Sequence, residues 1–148
     1  LRPQSRGRVQ IASNNPDDAP VIAPNYLSDV NDRRVAVDSI RQARSIMAQT
    51  PMRQYDPQEI MPGGGDTDAD LTAAAAQIGT TIFHPTCTVR MGADAAAPLD
   101  GQMRVRGISG LRVVDASAMP NITSGNTNAP TIMMAEKASD MILGRNIA

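Results

Sequence analysis

The chain has 148 residues, with 14 Lys and Arg against 15 Asp and Glu, a formal net charge of −1 that excludes the basic footprint nucleic-acid binding requires. Its single cysteine, Cys87, excludes an intrachain disulfide and a cysteine-based zinc site. No apolar run approaches the ~20 residues that cross a bilayer.

No signal-peptide pattern stands at the start, a segment that a cut chain would have lost; the location is not fixed by the sequence, with the cytoplasm the first expectation and membrane-associated or periplasmic placement left open. The chain opens on Leu1 rather than Met, which raises the expectation of a cut from a longer protein. With 2% aromatic residues, no Trp and 9 Met, the core should be aliphatic, with Met filling irregular gaps. The 11 Pro and 11 Gly are spread along the chain and point to a loop-rich α+β fold.

Gly7 to Ile11 alternates polar and apolar residues, as a half-buried strand does. Pro16, Pro20 and Pro24 then keep the chain extended. A first helix is predicted from Asn31 to Gln49, with Asn31 as N-cap and Asp32 in the first turn. Its apolar stripe is Ala36, Ile40, Ala43 and Met47; Arg41 and Arg44 fall on other faces, and Pro51 ends it. Gly63-Gly64-Gly65 lacks both the P-loop lysine and the G-x-G-x-x-G spacing, so it reads as a flexible connection. A second helix starts at Thr67, with Asp70 completing a capping box, and ends near Gly79.

Asp94 to Gly101 reads as a loop, Met103 to Val105 as a short strand, and Leu111 to Asp115 as a stronger one. A final helix is capped by Thr127 or Asn128, has Pro130 in its first turn and closes at Gly144. Its stripe of Ile132, Ala135, Ala138 and Ile142, widened by Met133, Met134 and Met141, predicts burial on most sides.

His84 is the only histidine and the one side chain whose ordinary pKa suits proton transfer near neutral pH. On spacing alone, a structural histidine is the commoner reading. No second His or Cys is present to share a metal ion, so no metal is expected. Cys87 reads as a small buried hydrophobe. Asp115, at the end of a strand, is equally a ligand-binding carboxylate or a turn former. Asn126 and Asn128 flank Thr127 ahead of a helix N-terminus, where about +0.5 charge and free N–H groups favour an anion.

Taken together, His84-Pro85-Thr86, Arg90-Met91-Gly92, Gly110 to Ser117 and Ser124 to Thr131 resemble the glucose–methanol–choline oxidoreductases, and within them the choline dehydrogenase-like bacterial members. Ser5-Arg6-Gly7 and Pro24-Asn25-Tyr26-Leu27 are similar to the start of that family's C-terminal region. The resemblance implies the C-terminal part of a two-domain FAD-dependent alcohol dehydrogenase. Residues 1–79 would belong to the substrate-binding domain, 80–110 would form an active-site crossover, and 111–148 would return as a strand and helix to the FAD-binding domain.

By the same resemblance, His84 is the base that takes the proton from the alcohol while its carbinol carbon passes hydride to the flavin. Asn126 hydrogen-bonds the substrate oxygen beside it. Asp115 and Ala116 would lie near the ribityl–diphosphate part of FAD. Asn128, Ala129, Pro130 and Thr131 would also bind the cofactor, the N–H groups around Ala129 to Thr131 stabilising negative charge on the reduced ring.

The implied partners are a small alcohol and the N-terminal half of the same protein, which carries the dinucleotide turn; this chain alone should hold FAD poorly. The family has glycine where Cys87 stands, so a side chain there is expected to crowd the pocket or alter the backbone. The low aromatic count makes a cage for a quaternary ammonium hard to build from this segment, so choline is not the expected alcohol. Two alternatives are a non-catalytic remnant serving as a binding or interaction module, and a flavin-fold lyase.

Overall fold

The computed structural model describes residues 2–145, and these fall into two compact units. One is Gln4–Thr81; the other holds residues 82–145 together with the first residues of the chain. Among the described residues, three α-helices and a small sheet give the expected α+β composition. Among the described residues, no helix is long and apolar enough to cross a membrane.

In the first unit, β1 (Arg8–Gln10) pairs antiparallel with β2 (Val21–Ala23), with Arg8 opposite Ala23 and Gln10 opposite Val21. The alternating pattern predicted a half-buried strand, yet β1 is exposed along its length. A two-stranded ribbon has no second layer of its own to bury a face.

Helix α1 (Val30–Met47) begins one residue before the expected start. Asp29 is its N-cap, and its side chain accepts from the N–H of Asn31 at 2.7 Å, so the expected cap residue is itself the capped group. Asp32 occupies the first turn as predicted, and its carboxylate accepts from the N–H groups of Gln4 and Ser5. Val37 is the buried residue of α1, whereas Ala43 and Met47 of the predicted stripe are exposed.

A 3₁₀ turn, Thr50–Tyr55, follows, with Pro51 in its first turn. Gly63, Gly64 and Gly65 all take positive φ, and the carbonyls of Gly64 and Gly65 accept from Arg44. The guanidinium of Arg44 also pairs with Glu59 at 2.7 Å and Asp66 at 3.0 Å. The segment read as a flexible connection is therefore tied to α1, and Arg44 is its anchor.

Helix α2 (Asp68–Ile78) has the predicted capping box: Thr67 Oγ1 accepts from the N–H of Asp70, and the Asp70 carboxylate accepts from the N–H of Thr67. Gly79 ends it by close approach and not by left-handed backbone, since a Cβ there would meet the Ala75 carbonyl at 2.5 Å. Leu71 is fully buried, and α1 and α2 pack together.

In the second unit, Leu99, Met103, Ala118, Met119, Met134 and Ala138 form one buried cluster, and three of the six are methionine, as the composition led us to expect. Leu99 and Ala97 sit in the stretch predicted as a loop. They are carried inward by a chain held at both ends. Arg90 forms a bidentate pair with Asp94, and Asp100 accepts from the N–H groups of Gln102 and Arg104. The bond from Arg90 lowers the Asp94 carboxyl to about 2, and bonds from the Arg104 backbone and guanidinium do the same for Asp100.

The two strands expected around Met103 and Leu111 are irregular chain with isolated bridges, Leu99 to Val105 and Arg104 to Arg112, and Met103 itself is left-handed at φ +59°. A strand requires a continuous ladder, and this unit supplies only single bridges to these segments.

Helix α3 (Asn128–Ile142) is the last element, and Gly144 follows at φ +65°. It buries Met134 and Ala138, while Ile132 is 55% and Ile142 59% exposed. The prediction of burial on most sides is corrected: half of the proposed stripe faces outward.

Candidate active site

The backbone that carries His84 is built from alternate residues. The N–H groups of Cys87, Val89 and Met91 donate to the carbonyls of Ala116, Ser117 and Ala118 at 3.3, 3.0 and 2.9 Å. This short ladder joins the His84 segment to the chain leaving Asp115, so the residues either side of position 110 share one core. Arg90 and Asp94 close the far end. Gly92 is required between them, because a Cβ would lie 2.8 Å from the Arg90 guanidinium and 2.9 Å from Ala97 Cβ.

Two residues of the His84 segment are held in the left-handed region, Phe83 immediately before it at φ +62° and Cys87 three positions after it at φ +69°. That conformation costs a non-glycine residue about 1–2 kcal/mol. Cys87 thus holds a conformation that a glycine adopts freely. Its thiol points to Thr86, donating to Oγ1 at 3.1 Å. Stability should consequently follow the order Cys87→Gly, wild type, Cys87→Val. A gap of more than about 1 kcal/mol is expected between the two variants, because a β-branched residue tolerates positive φ least. Urea midpoints of the chain would check this, and a valine variant as stable as the glycine variant would refute it.

His84 is half-buried, and its Nδ1 lies 2.8 Å from Thr127 Oγ1. Thr127 is 7% exposed and occupies the N-cap position of α3. The imidazole is thereby joined to the start of α3, one residue from Asn126. Asn126 is exposed, and its Oδ1 accepts from the N–H of Asn128 at 2.9 Å. That bond leaves the amide Nδ2 as the group of Asn126 directed elsewhere.

Sequence reasoning read Thr127 as a cap and missed its contact with His84. The available signal was that Asn126, Thr127 and Asn128 are all cap-forming residues, and a helix needs only one such group.

Asp115 caps the 3₁₀ turn Ala116–Ala118: its Oδ1 accepts from the N–H of Ser117 at 2.8 Å and from the Ser117 hydroxyl. The turn-forming reading is thus observed, while its second oxygen has no partner among the described residues. The carbonyl of Ala116 accepts from Cys87 and Met119.

At the start of α3, the N–H of Asn128 is bonded to Asn126, Pro130 has none, and the N–H of Thr131 donates to the Thr127 carbonyl at 3.1 Å. The Thr131 hydroxyl donates to the same carbonyl at 2.7 Å. In the stretch Asn128 to Thr131, only Ala129 has a backbone N–H without a partner among the described residues. A cavity of about 320 Å³ opens along Arg104 to Arg112, and none of these residues lines it.

The family model of the GMC oxidoreductase C-terminal domain matches residues 3–135. The chain belongs to the GMC oxidoreductases. It is 49% identical over 146 residues to the oxygen-dependent choline dehydrogenase of Pseudomonas fluorescens (strain SBW25), covering 98% of this chain and 26% of that protein. It is 46% identical over 144 residues to the alcohol dehydrogenase [acceptor] of Pseudomonas putida, covering 97% of this chain and again 26% of the relative. Among solved structures, an FAD-dependent oxidoreductase from Chaetomium thermophilum superposes with a TM-score of 0.90 at 34% identity, covering 97% of this chain and 25% of that one. The chain thus spans about a quarter of the length of the GMC oxidoreductases it matches.

Proposed function

We propose that this chain is the catalytic C-terminal part of an FAD-dependent alcohol dehydrogenase, with His84 as the base and Asn126 as its partner. One observation carries the reading: the 2.8 Å bond from His84 Nδ1 to Thr127, which ties the imidazole to the helix start where Asn126 stands. With Nδ1 engaged, Nε2 is the ring atom left to meet a substrate hydroxyl. Removing that proton makes the carbinol carbon a far better hydride donor, and a base within hydrogen-bond reach lowers the barrier accordingly. Asn126 fits the second role because its Oδ1 is held by Asn128, leaving Nδ2 to donate to the substrate oxygen and to stabilise it as negative charge develops. The left-handed backbone on both sides of His84 supports the assignment, since such conformations cluster at functional sites.

The residues present fit a flavin. The N-terminal end of a 15-residue helix carries partial positive charge, and the uncommitted N–H of Ala129 projects from its first turn. Asn128, Pro130 and Thr131 would form the rest of that turn beside the ring, and Asp115 with Ala116 would face the ribityl–diphosphate portion. FAD, when bound, supplies the hydride acceptor. The choline and alcohol dehydrogenases among the relatives favour a small primary or secondary alcohol as substrate. The remainder of the flavin site would come from an N-terminal segment, and residues 1–79, 80–110 and 111–148 would keep the substrate-binding, crossover and FAD-domain roles described above.

In a full-length flavoprotein carrying this segment, anaerobic addition of a primary or secondary alcohol should bleach the visible absorbance of the bound flavin. A flavin that stays oxidised with every alcohol of a broad panel overturns the reading.

A further inference from the structure

We propose that Thr127 is the positioning residue of this site: its hydroxyl accepts from Nδ1–H of His84 and holds the ring in the tautomer whose lone pair lies on Nε2. The inference deepens the reading of His84 as the base and rests on it.

Three observations converge. The first is the bond itself, 2.8 Å long and part-buried, between residues 43 positions apart in the chain. The second is that Thr127 gives up the ordinary task of its position. A threonine at an N-cap normally accepts from a backbone N–H of the first turn, but Thr127 makes no such bond and takes a helical backbone conformation. Asn126 accepts from the N–H of Asn128 instead, so the Thr127 hydroxyl is free for the imidazole. The third is that Thr127 is itself anchored: its carbonyl receives both the N–H and the hydroxyl of Thr131. A nearly buried, doubly tethered residue gives the ring a fixed reference point.

The direction of the bond follows from the chemistry. A hydroxyl can donate to a neutral ring nitrogen or accept from its N–H. If it donated to Nδ1, the ring hydrogen would sit on Nε2, and Nε2 could not take a proton. Once the ring is protonated it has no lone pair, so a donating hydroxyl would have to turn round during the reaction. Acceptance from Nδ1–H is the one arrangement that survives proton uptake at Nε2 unchanged. A preorganised partner of this kind avoids reorganisation at the moment of reaction. Thr127 touches no reacting atom in this scheme; it acts through His84.

His84 is the only histidine, so nitrogen-15 NMR of the labelled chain reads its tautomer without assignment ambiguity. The wild-type chain, above the titration of the ring, should show mainly Nδ1–H, and mainly Nε2–H would overturn the proposal with no variant required. Thr127→Val, nearly isosteric and losing no helix cap, should raise the Nε2–H share, and Thr127→Ser should restore the wild-type ratio. An unchanged ratio in the valine variant would equally overturn it.

In the full-length flavoprotein, Thr127→Val should lower kcat about tenfold with KM little changed, as expected for misorientation of a positioned group, and serine should recover most of the rate. A shifted tautomer with an undiminished rate would leave Thr127 as the tautomer-setting residue and count against His84 as the base. A tautomer that does not move would remove Thr127 and leave His84 to its own test.

Discussion

Replacing His84 by alanine should slow flavin reduction by about 10²-fold or more in the full-length enzyme, the usual contribution of a positioned general base. That loss corresponds to about 2.7 kcal/mol of barrier. It should appear in kcat, because proton removal strengthens in the transition state and contributes little to ground-state binding. His84→Asn is the informative companion. An amide can still meet the Thr127 hydroxyl and preserve the local packing, yet it has no nitrogen lone pair for a proton. The asparagine variant should therefore lose nearly as much as the alanine variant. Stopped-flow measurement of flavin bleaching gives both numbers, and near-normal reduction in either variant removes His84 from the mechanism.

Replacing Leu99 by alanine should cost about 2–5 kcal/mol, the range for a large-to-small change at a fully buried site. Leu99 has 0% exposure and lies in the cluster with Met103, Met119 and Met134. Its backbone is also held, with its N–H donating to Arg90 and its carbonyl accepting from Gly92. Little collapse is then available to fill the void, which puts the cost toward the upper part of the range. Ile132→Ala on α3 is the control. Ile132 is 55% exposed in this chain, so its removal should change stability by no more than about 0.5 kcal/mol. Urea unfolding of the 148-residue chain would compare the two. Equal costs would show that the outer face of α3 is covered in solution.

The two helices that sequence reasoning located best are those with local instructions. Thr67 and Asp70 form their capping box from residues three apart, and no distant partner is required. The start of α1 was displaced by one residue because Asp29 and Asn31 are both competent caps, and only the path of the preceding chain selects between them. Arg44 shows the opposite situation. Its pattern position predicts a solvated face, but the carbonyls and carboxylates it binds come from a loop 15 to 22 residues further on.

The site divides in the same way. The resemblance of several motifs in order suggests His84 and Asn126 as a pair, whereas nothing in the spacing of residues 42 apart points to one. Thr127 was visible as a cap and invisible as the partner of His84, since its hydroxyl is committed by contact across the fold.

By itself the amino-acid sequence determined the helices, the methionine-filled apolar core and the family to which the chain belongs, all properties carried by short motifs and local periodicity. Tertiary structure alone decided which face of α3 is buried, that residues 103–115 form bridges and no sheet, and which hydroxyl holds the imidazole. Those outcomes depend on which backbone and side-chain groups are brought together, and hydrogen bonds and close packing act only over a few ångströms, whatever the distance along the chain.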